Sequence, residues 1–345
     1  MSTVAIIGAG VAGIEAAHVL ASNGIKVKLF EKGASALKNI QDKAFLFPNF
    51  QSAQEIVTEL SAKLLSDNIE TFYETEIINL GNTQNSWVLT DKSGHEYVAQ
   101  AVLVSTGYKV FDASRKEELG YGIYKGVITS LDMENMIRYD KIVNAVNSQP
   151  RNIVFLQCVG SRDEKVGNHY CSKLCCVTAV KQAIEVKKRL PQCQVSVFYM
   201  DLRMWGQGFE EMYRQAQEQY KINFVRGRIS ESASTFDGRL QIKSEDTLLG
   251  LPLKMTADLL VLMVGMEPST GTTDLGKKCN ICGEYGFIES LNPHIADNKT
   301  AIEGLFVAGT AKRPMTVQDC INDGRSAAVT IQDSLRTKNQ SSNAD

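Results

Sequence analysis

The sequence predicts an α/β protein of two domains, and three observations carry that prediction. An apolar strand at Thr3–Ile7 runs through a glycine-rich loop into a helix and then a second strand ending at Glu31. A second strand–loop–helix–strand pattern begins at Asn152 and ends at Tyr199. A buried strand at Gly304–Thr310 and a long helix from Val317 complete the set. Strands alternating with helices at this spacing build parallel sheets.

With 345 residues the chain is long enough for two substantial cores. The formal charge of -2 leaves no basic surplus for nucleic acid or an anionic membrane. No apolar run is long enough to span a bilayer. The N-terminus does not read as a secretory signal, because Val4–Ile7 runs into glycines without a basic segment before it. Eight cysteines in such a chain predict a reducing cytoplasmic setting and cofactor ligation, not a disulfide framework. The polar residues 336–345 are expected to form a frayed, flexible tail.

Residues 3–31 read as a complete βαβ unit around Gly8-Ala9-Gly10-Val11-Ala12-Gly13. The helix is expected over Gly13–Ser22, stopped by Asn23-Gly24, with a second strand at Ile25–Phe30. Gly8 permits the tight turn, Gly10 lets backbone approach a pyrophosphate, and Gly13 lets the helix sit close to the sheet. Glu31 is placed to accept hydrogen bonds from a ribose diol. The unit alone does not separate FAD from NAD.

Later segments narrow the choice. Ala101–Gly107 is a buried strand ending in Thr106-Gly107, and Gly304–Thr310 is another, followed by helix Val317–Leu335 with Thr316 as its cap. This three-part signature resembles the two-dinucleotide-domain flavoproteins, the thioredoxin reductase and glutathione reductase superfamily. The resemblance implies a discontinuous, Rossmann-like FAD domain of residues 1–110 and 261–335, with 111–150 as a connecting segment. It also implies FAD contacts from Gly8, Gly10, Val11, Ala12, Gly13, Glu31, Lys32, Thr106, Gly107, Gly309 and Thr310, with a backbone contact to adenine at Ile77. Thr310 replaces the usual aspartate of that superfamily. The helix start at Thr316, Val317 and Gln318 would aim its amides at the flavin pyrimidine edge, favouring negative charge there. Between these pieces, Ala53–Ser66 reads as a helix, Tyr73–Ile78 as a strand, and Trp87–Thr90 with Glu96–Val98 as a hairpin.

Residues 151–260 read as the inserted α/β domain, in strands Asn152–Gln157, Gln194–Tyr199 and Ile222–Arg226 with a helix around Phe209–Tyr220. A pyridine-nucleotide domain would open with a second glycine fingerprint, but here the first strand enters Gln157-Cys158-Val159-Gly160-Ser161-Arg162. Cys158, Cys171, Cys175 and Cys176 follow the spacing C-x12-C-x3-C-C, with the last three expected to open a helix Cys171–Arg189. Adjacent Cys175 and Cys176 suit a multi-iron cluster better than one zinc, which usually takes C-x2-C pairs. Zinc and plain thiols remain the alternatives.

The block from Gln157 to Glu164, then Gly167-Asn168-His169-Tyr170-Cys171-Ser172 and Cys175-Cys176, resembles the family of heterodisulfide reductase A-subunits (HdrA). Tyr121-Gly122-Ile123-Tyr124 and Val127-Ile128-Thr129-Ser130-Leu131 match it as well. The resemblance implies a homodimeric oxidoreductase component carrying FAD and a [4Fe–4S] cluster on Cys158, Cys171, Cys175 and Cys176. It would transfer electrons alongside further iron–sulfur and catalytic subunits that work on thiol–disulfide substrates. The chain looks like the short HdrA-like form from sulfur-oxidising prokaryotes. It departs from the family where Leu37-Lys38-Asn39 replaces a Gly-Gly-Arg and Met315-Thr316 replaces a Lys-Asp, both beside the expected flavin ring. Lys38 and Asn39 thus count among the cofactor-binding candidates, and one-electron relay is expected in place of electron bifurcation.

Cys279-Asn280-Ile281-Cys282 invites a different reading, a self-sufficient NAD(P)H-dependent disulfide reductase. A zinc-stabilised FAD-binding scaffold is the third. Cys193 and Cys320 read as packing residues, and His169 as either structural or a hydrogen-bonding neighbour that tunes the cluster.

Overall fold

A computed structural model of the chain describes residues 2–83 and 86–341. It divides into two compact units. The first comprises Met1–Gln41, Glu55–Lys109 and Glu267–Asp345, the second Asp42–Gln54 and Val110–Met266. The FAD-type architecture is therefore interrupted twice along the chain. The segment 111–150, expected as a connector, supplies a strand and a helix to the second unit. The strand Leu259–Val264 also belongs to the second unit, so the return to the first falls at Glu267.

The first unit holds a five-stranded parallel sheet in the order Leu305–Val307, Ala101–Val104, Thr3–Ile7, Lys26–Phe30, Ile69–Phe72. Val4, Ala5, Ile6 and Leu103 are fully buried, as a parallel sheet covered on both faces requires. The first helix, Val11–Ser22, starts two residues earlier than expected and packs Ala16, Ala17 and Leu20 inward. It ends where Asn23 donates its side-chain amide to the Val19 carbonyl at 2.8 Å. The stretch read as a strand at Tyr73–Ile78 is a turn over 73–76 followed by a new strand, Ile77–Asn82, because the chain must leave the parallel sheet for an antiparallel one. That second sheet pairs Ile77–Asn82, Trp87–Asp91 and Glu96–Ala99. The helix after Ala53 ends at Ala62, short of Ser66. The last helix, by contrast, runs from Val317 to Ser341 instead of stopping at Leu335. Arg336, Lys338 and Gln340 are good helix formers, so the expected fraying does not begin at Arg336. Residues 342–345 of the expected tail lie outside the described residues.

The second unit repeats the theme with its own parallel sheet, ordered Val127–Thr129, Leu259–Val264, Asn152–Val159, Gln194–Tyr199, Asn223–Arg226. Ile153, Val154, Phe155, Val197 and Val261 are fully buried in it. The helix Ser130–Arg138 opens on a capping box in which Thr129 and Asp132 hydrogen-bond reciprocally. An antiparallel sheet of Ile229–Ser234, Leu240–Asp246 and Leu251–Ala257 completes the unit.

Candidate cofactor sites

In open parallel sheets, ligands bind beyond the carboxyl ends of the strands where the strand order reverses. In the first unit that point lies at the end of Thr3–Ile7, and the glycine loop occupies it. Gly8 adopts φ +107°, and a Cβ there would stand 2.5 Å from the Ser105 carbonyl oxygen. Gly10 is different. Its φ of −81° suits any residue, and nothing lies within 4 Å of where a Cβ would be. No side chain caps the helix that follows, leaving the amide dipole of its first turn pointing into that open space. A space kept free in front of uncapped amides fits a pyrophosphate.

Other candidates gather along the same sheet edge. Glu31 sits at the end of the second strand, where its carboxylate accepts from the Ala9 amide at 3.0 Å and the Gly33 amide at 2.8 Å. The Leu37 amide bonds to the Ala9 carbonyl at 3.0 Å, which draws the Lys38–Gln41 turn towards the loop. Lys32, Lys38 and Asn39 are exposed. Thr106 shares a 2.7 Å hydrogen bond with Thr272, whose hydroxyl also donates to the Gly107 carbonyl at 2.8 Å. Thr310 faces Gly107. Thr316 caps the last helix in the expected way: its hydroxyl accepts from the Asp319 amide and its amide donates to the Asp319 carboxylate, each at 3.0 Å. Val317 and Gln318 form the first turn of that helix. Ile77 opens its strand opposite Asp91 and is buried.

Sequence reasoning missed Asp323. Its carboxylate accepts from the Gly309 amide at 2.6 Å and from Lys312 at 2.7 Å. Lys312 in turn reaches Asp297 at 2.8 Å, with its own side chain 1% exposed. This network fixes the Gly309–Ala311 turn although Thr310 stands where the resemblance implies an aspartate. Only the spacing of the acid on the following helix could have pointed to it.

The second unit carries the cysteines at the equivalent place, the carboxyl end of its central strand. Cys158 is the penultimate residue of Asn152–Val159, at φ +59°, where the pairing with Leu259–Val264 shifts register. A bulge of this kind re-aims a side chain. Beyond it the chain doubles back: the Arg162 amide bonds to the Tyr170 carbonyl at 3.0 Å, and Asp163 bridges Asn168. The Ser161 and Ser172 hydroxyls bond to each other, and Ser172 also accepts from the Met266 amide at 2.8 Å. The return brings Cys171 back towards the strand end. The helix begins only at Cys175, not at Cys171, because Lys173 takes φ +62° and the Leu174 amide closes a tight turn onto the Ser172 carbonyl.

Three of the four sulfurs, those of Cys158, Cys175 and Cys176, converge. Cys158 and Cys175 lie 3.8 Å apart, and Cys175 also contacts Cys176. Cys176 donates to Gln157 Oε1 at 3.1 Å, and the Lys173 amide donates to the Cys171 sulfur at 3.3 Å. The hydrogen bond with Cys175 draws the Cys176 thiol down to about 7 against the opposing effect of burial, and the Arg203 amide and the Arg203 and Arg162 charges add to it. Cys158 is also lowered, first by its contact with Cys175 and then by Arg162, while Cys175 is pushed up by the same contacts and by burial. Arg162 feels the charges of both Cys158 and Cys171 and is tied to Asp201 at 2.7 Å. Cys158, Cys171 and Cys176 thus share one guanidinium, while Cys175 and Cys176 open a helix whose start no side chain caps. Soft donors, a backbone N–H···S bond and converging positive potential fit an anionic iron–sulfur cluster, which spreads its ligands over several irons. Among the described residues no group of three or more His, Cys, Asp or Glu side chains is arranged to hold a metal ion. A cavity of about 560 Å³ opens beside Cys158, lined among others by Gln157, Arg162, Lys116 and Arg228.

The remaining candidates have their own surroundings. His169 is exposed and forms no part of the thiol contacts. Burial pushes Cys193 up to about 11 and Cys320 up to about 12, as expected of packing thiols. Cys279 ends the helix Thr270–Lys278 and is raised by burial, and both it and Cys282 are free thiols.

Comparison with known proteins agrees with this architecture. Residues 2–141 match the family described as pyridine nucleotide-disulphide oxidoreductase. The A-subunit of the H(2)/formate:CoB-CoM heterodisulfide,ferredoxin reductase of Methanococcus maripaludis is 40% identical over 240 residues, covering 67% of this chain and 36% of the relative. The iron-sulfur A-subunit of the CoB–CoM heterodisulfide reductase of Methanocaldococcus jannaschii matches with the same identity and coverage. The chain therefore aligns with about a third of the length of these relatives. Among solved structures, thioredoxin reductase of Lactococcus lactis superposes with a TM-score of 0.70 at 18% identity, over 98% of this chain and 100% of that one. The T. acidophilum enzyme gives 0.67 at 18% identity, over 97% and 100%. No helix among the described residues is long and apolar enough to cross a membrane. With the thioredoxin-reductase-like fold in place and relatives 40% identical over two thirds of its length, this chain belongs to the HdrA family of oxidoreductases, the A-subunits of heterodisulfide reductase.

Proposed function

We propose that the chain is an electron-transfer subunit that binds FAD in its first unit and a [4Fe–4S] cluster in its second. The observation that carries this is the convergence of Cys158, Cys175 and Cys176 at the strand end where a nucleotide-binding domain would carry glycines. Family membership supports FAD, and the glycine loop supplies the fit for its pyrophosphate. Gly8, Gly10, Val11, Ala12, Gly13, Glu31 and Lys32 would hold the AMP half, with Ile77 at the adenine. Lys38, Asn39, Thr106, Gly107, Gly309, Thr310, Thr316, Val317 and Gln318 would hold the rest. Cys158, Cys171, Cys175 and Cys176 would ligate the cluster. When bound, the two groups supply electron transfer, and the protein supplies burial, orientation and hydrogen bonding. Lys38-Asn39 and Met315-Thr316 change the expected flavin surroundings, which supports single-electron relay without bifurcation. The chain would work as a homodimer with other heterodisulfide-reductase-type subunits in thiol–disulfide or sulfur oxidation metabolism.

Anaerobic purification tests the reading. Flavin absorbance with a broad iron–sulfur shoulder, and about four irons and four acid-labile sulfides per chain, are expected. Zinc without sulfide would overturn the cluster, and rapid flavin bleaching by NADH or NADPH alone would favour a stand-alone disulfide reductase.

A further inference from the structure

Gln157 immediately precedes Cys158 on the central strand of the second unit and is 5% exposed. Its Oε1 accepts from the Cys176 thiol at 3.1 Å, while its Nε2 is buried and finds no acceptor among the described residues. Buried amide donors are almost always paired, so an orphan of this kind calls for a partner. The present contact also works only while Cys176 carries its proton. A cysteine that ligates iron does so as thiolate, an acceptor alone, and the Gln157 carbonyl would then face a negative sulfur. One half-turn of the terminal amide removes both problems. It exchanges Oε1 for Nε2 and sets a donor about 3 Å from the Cys176 sulfur, the separation the carbonyl oxygen holds now.

We propose that Gln157 is a hydrogen-bond donor to the sulfur of Cys176 when the cysteines hold the iron–sulfur cluster, and that it sets the cluster's reduction potential. The inference rests on the cluster reading given above. Reduction adds negative charge to the cluster, and a donor aimed at its sulfur stabilises the reduced form, so Gln157 raises the midpoint. Lys173, through its amide to Cys171, makes the backbone counterpart of the same contact.

The test is a redox titration of the as-isolated holoprotein followed by EPR, with iron and sulfide measured first. Wild-type protein lacking iron and sulfide would sink the cluster itself. With the cluster present, Gln157→Leu is expected to lower the midpoint and Gln157→Glu to lower it further, at unchanged iron content. An unchanged midpoint in Gln157→Leu with full iron would overturn the role of Gln157 and leave the cluster standing. Should either variant fail to assemble, wild-type protein labelled with 15N at the glutamine side chain decides the matter. Pulsed EPR of the reduced cluster should show a 15N coupling, and its absence would likewise overturn the proposal.

Discussion

The ammonium of Lys181 lies 2.6 Å from Glu134 Oε1 in the second unit, and the two side chains are only 3% and 1% exposed. Gln182 adds a hydrogen bond to the same carboxylate at 2.7 Å, and Lys181 also donates to the Phe45 carbonyl at 2.9 Å. Removing one partner of such a pair strands a buried charge. Lys181→Met is expected to destabilise the fold by about 3–5 kcal/mol, and Lys181→Met combined with Glu134→Leu to recover most of that. Denaturant unfolding of the three proteins checks it, and equal stability of the single and double variants would refute it.

Acid sensitivity follows from the same carboxyl. Burial pushes Glu134 up, but the charge and hydrogen bonds of Lys181, the Gln182 amide and the Lys43 charge prevail, so it sits below its ordinary value of 4.5. The folded state therefore binds fewer protons than the unfolded one near that value. Its contribution is complete above about pH 4.5 and is lost as pH falls through the lowered folded value. Denaturation midpoints measured from pH 3 to 6 should fall more steeply with acid in wild type than in Glu134→Gln.

Gly10 and Gly8 separate ligand binding from folding. A Cβ at Gly10 has no protein atom within 4 Å, so Gly10→Val should fold normally yet lose flavin, with affinity down roughly tenfold or more, about 1.4 kcal/mol. Gly8→Ala meets the Ser105 carbonyl and a left-handed backbone, so its melting temperature should drop as well. Circular dichroism together with the flavin-to-protein ratio distinguishes the two, and full flavin in Gly10→Val would contradict the pyrophosphate assignment.

The eight cysteines should divide sharply. Cys158→Ser and Cys176→Ser are expected to lose most bound iron and sulfide. Cys193→Ser and Cys320→Ser, at thiols pushed up by burial, should keep the wild-type content. Iron retained at full level in Cys158→Ser would rule that residue out as a ligand.

The strands and the glycine loop are legible in the sequence because their signals are local. Thr3–Ile7 is an apolar run closed by Gly8, Gln194–Tyr199 a mostly apolar run following Pro191, and both fold as read. Cys171 falls outside the helix expected to hold it because the break at Lys173 is a single left-handed residue that no composition rule marks. The antiparallel sheet over 229–257 carries a weak signal, since its edge strand buries only Ile229 and Ser232 and leaves Ser230 and Glu231 to solvent. Val127–Thr129, only three residues long, cannot be told from loop. Contacts such as Glu134 with Lys181, or Gly309 with Asp323, join residues on different elements, and a linear pattern does not carry them.

Lys312 has a consequence for the settings in which the chain keeps its shape. Its ammonium is buried and shared between Asp323, 11% exposed, and Asp297, 23% exposed. Surface ion pairs fade in brine, but a largely buried one is screened much less. The bend that presents the Gly309 amide is thereby less dependent on the ionic history of its surroundings than a surface pair would leave it.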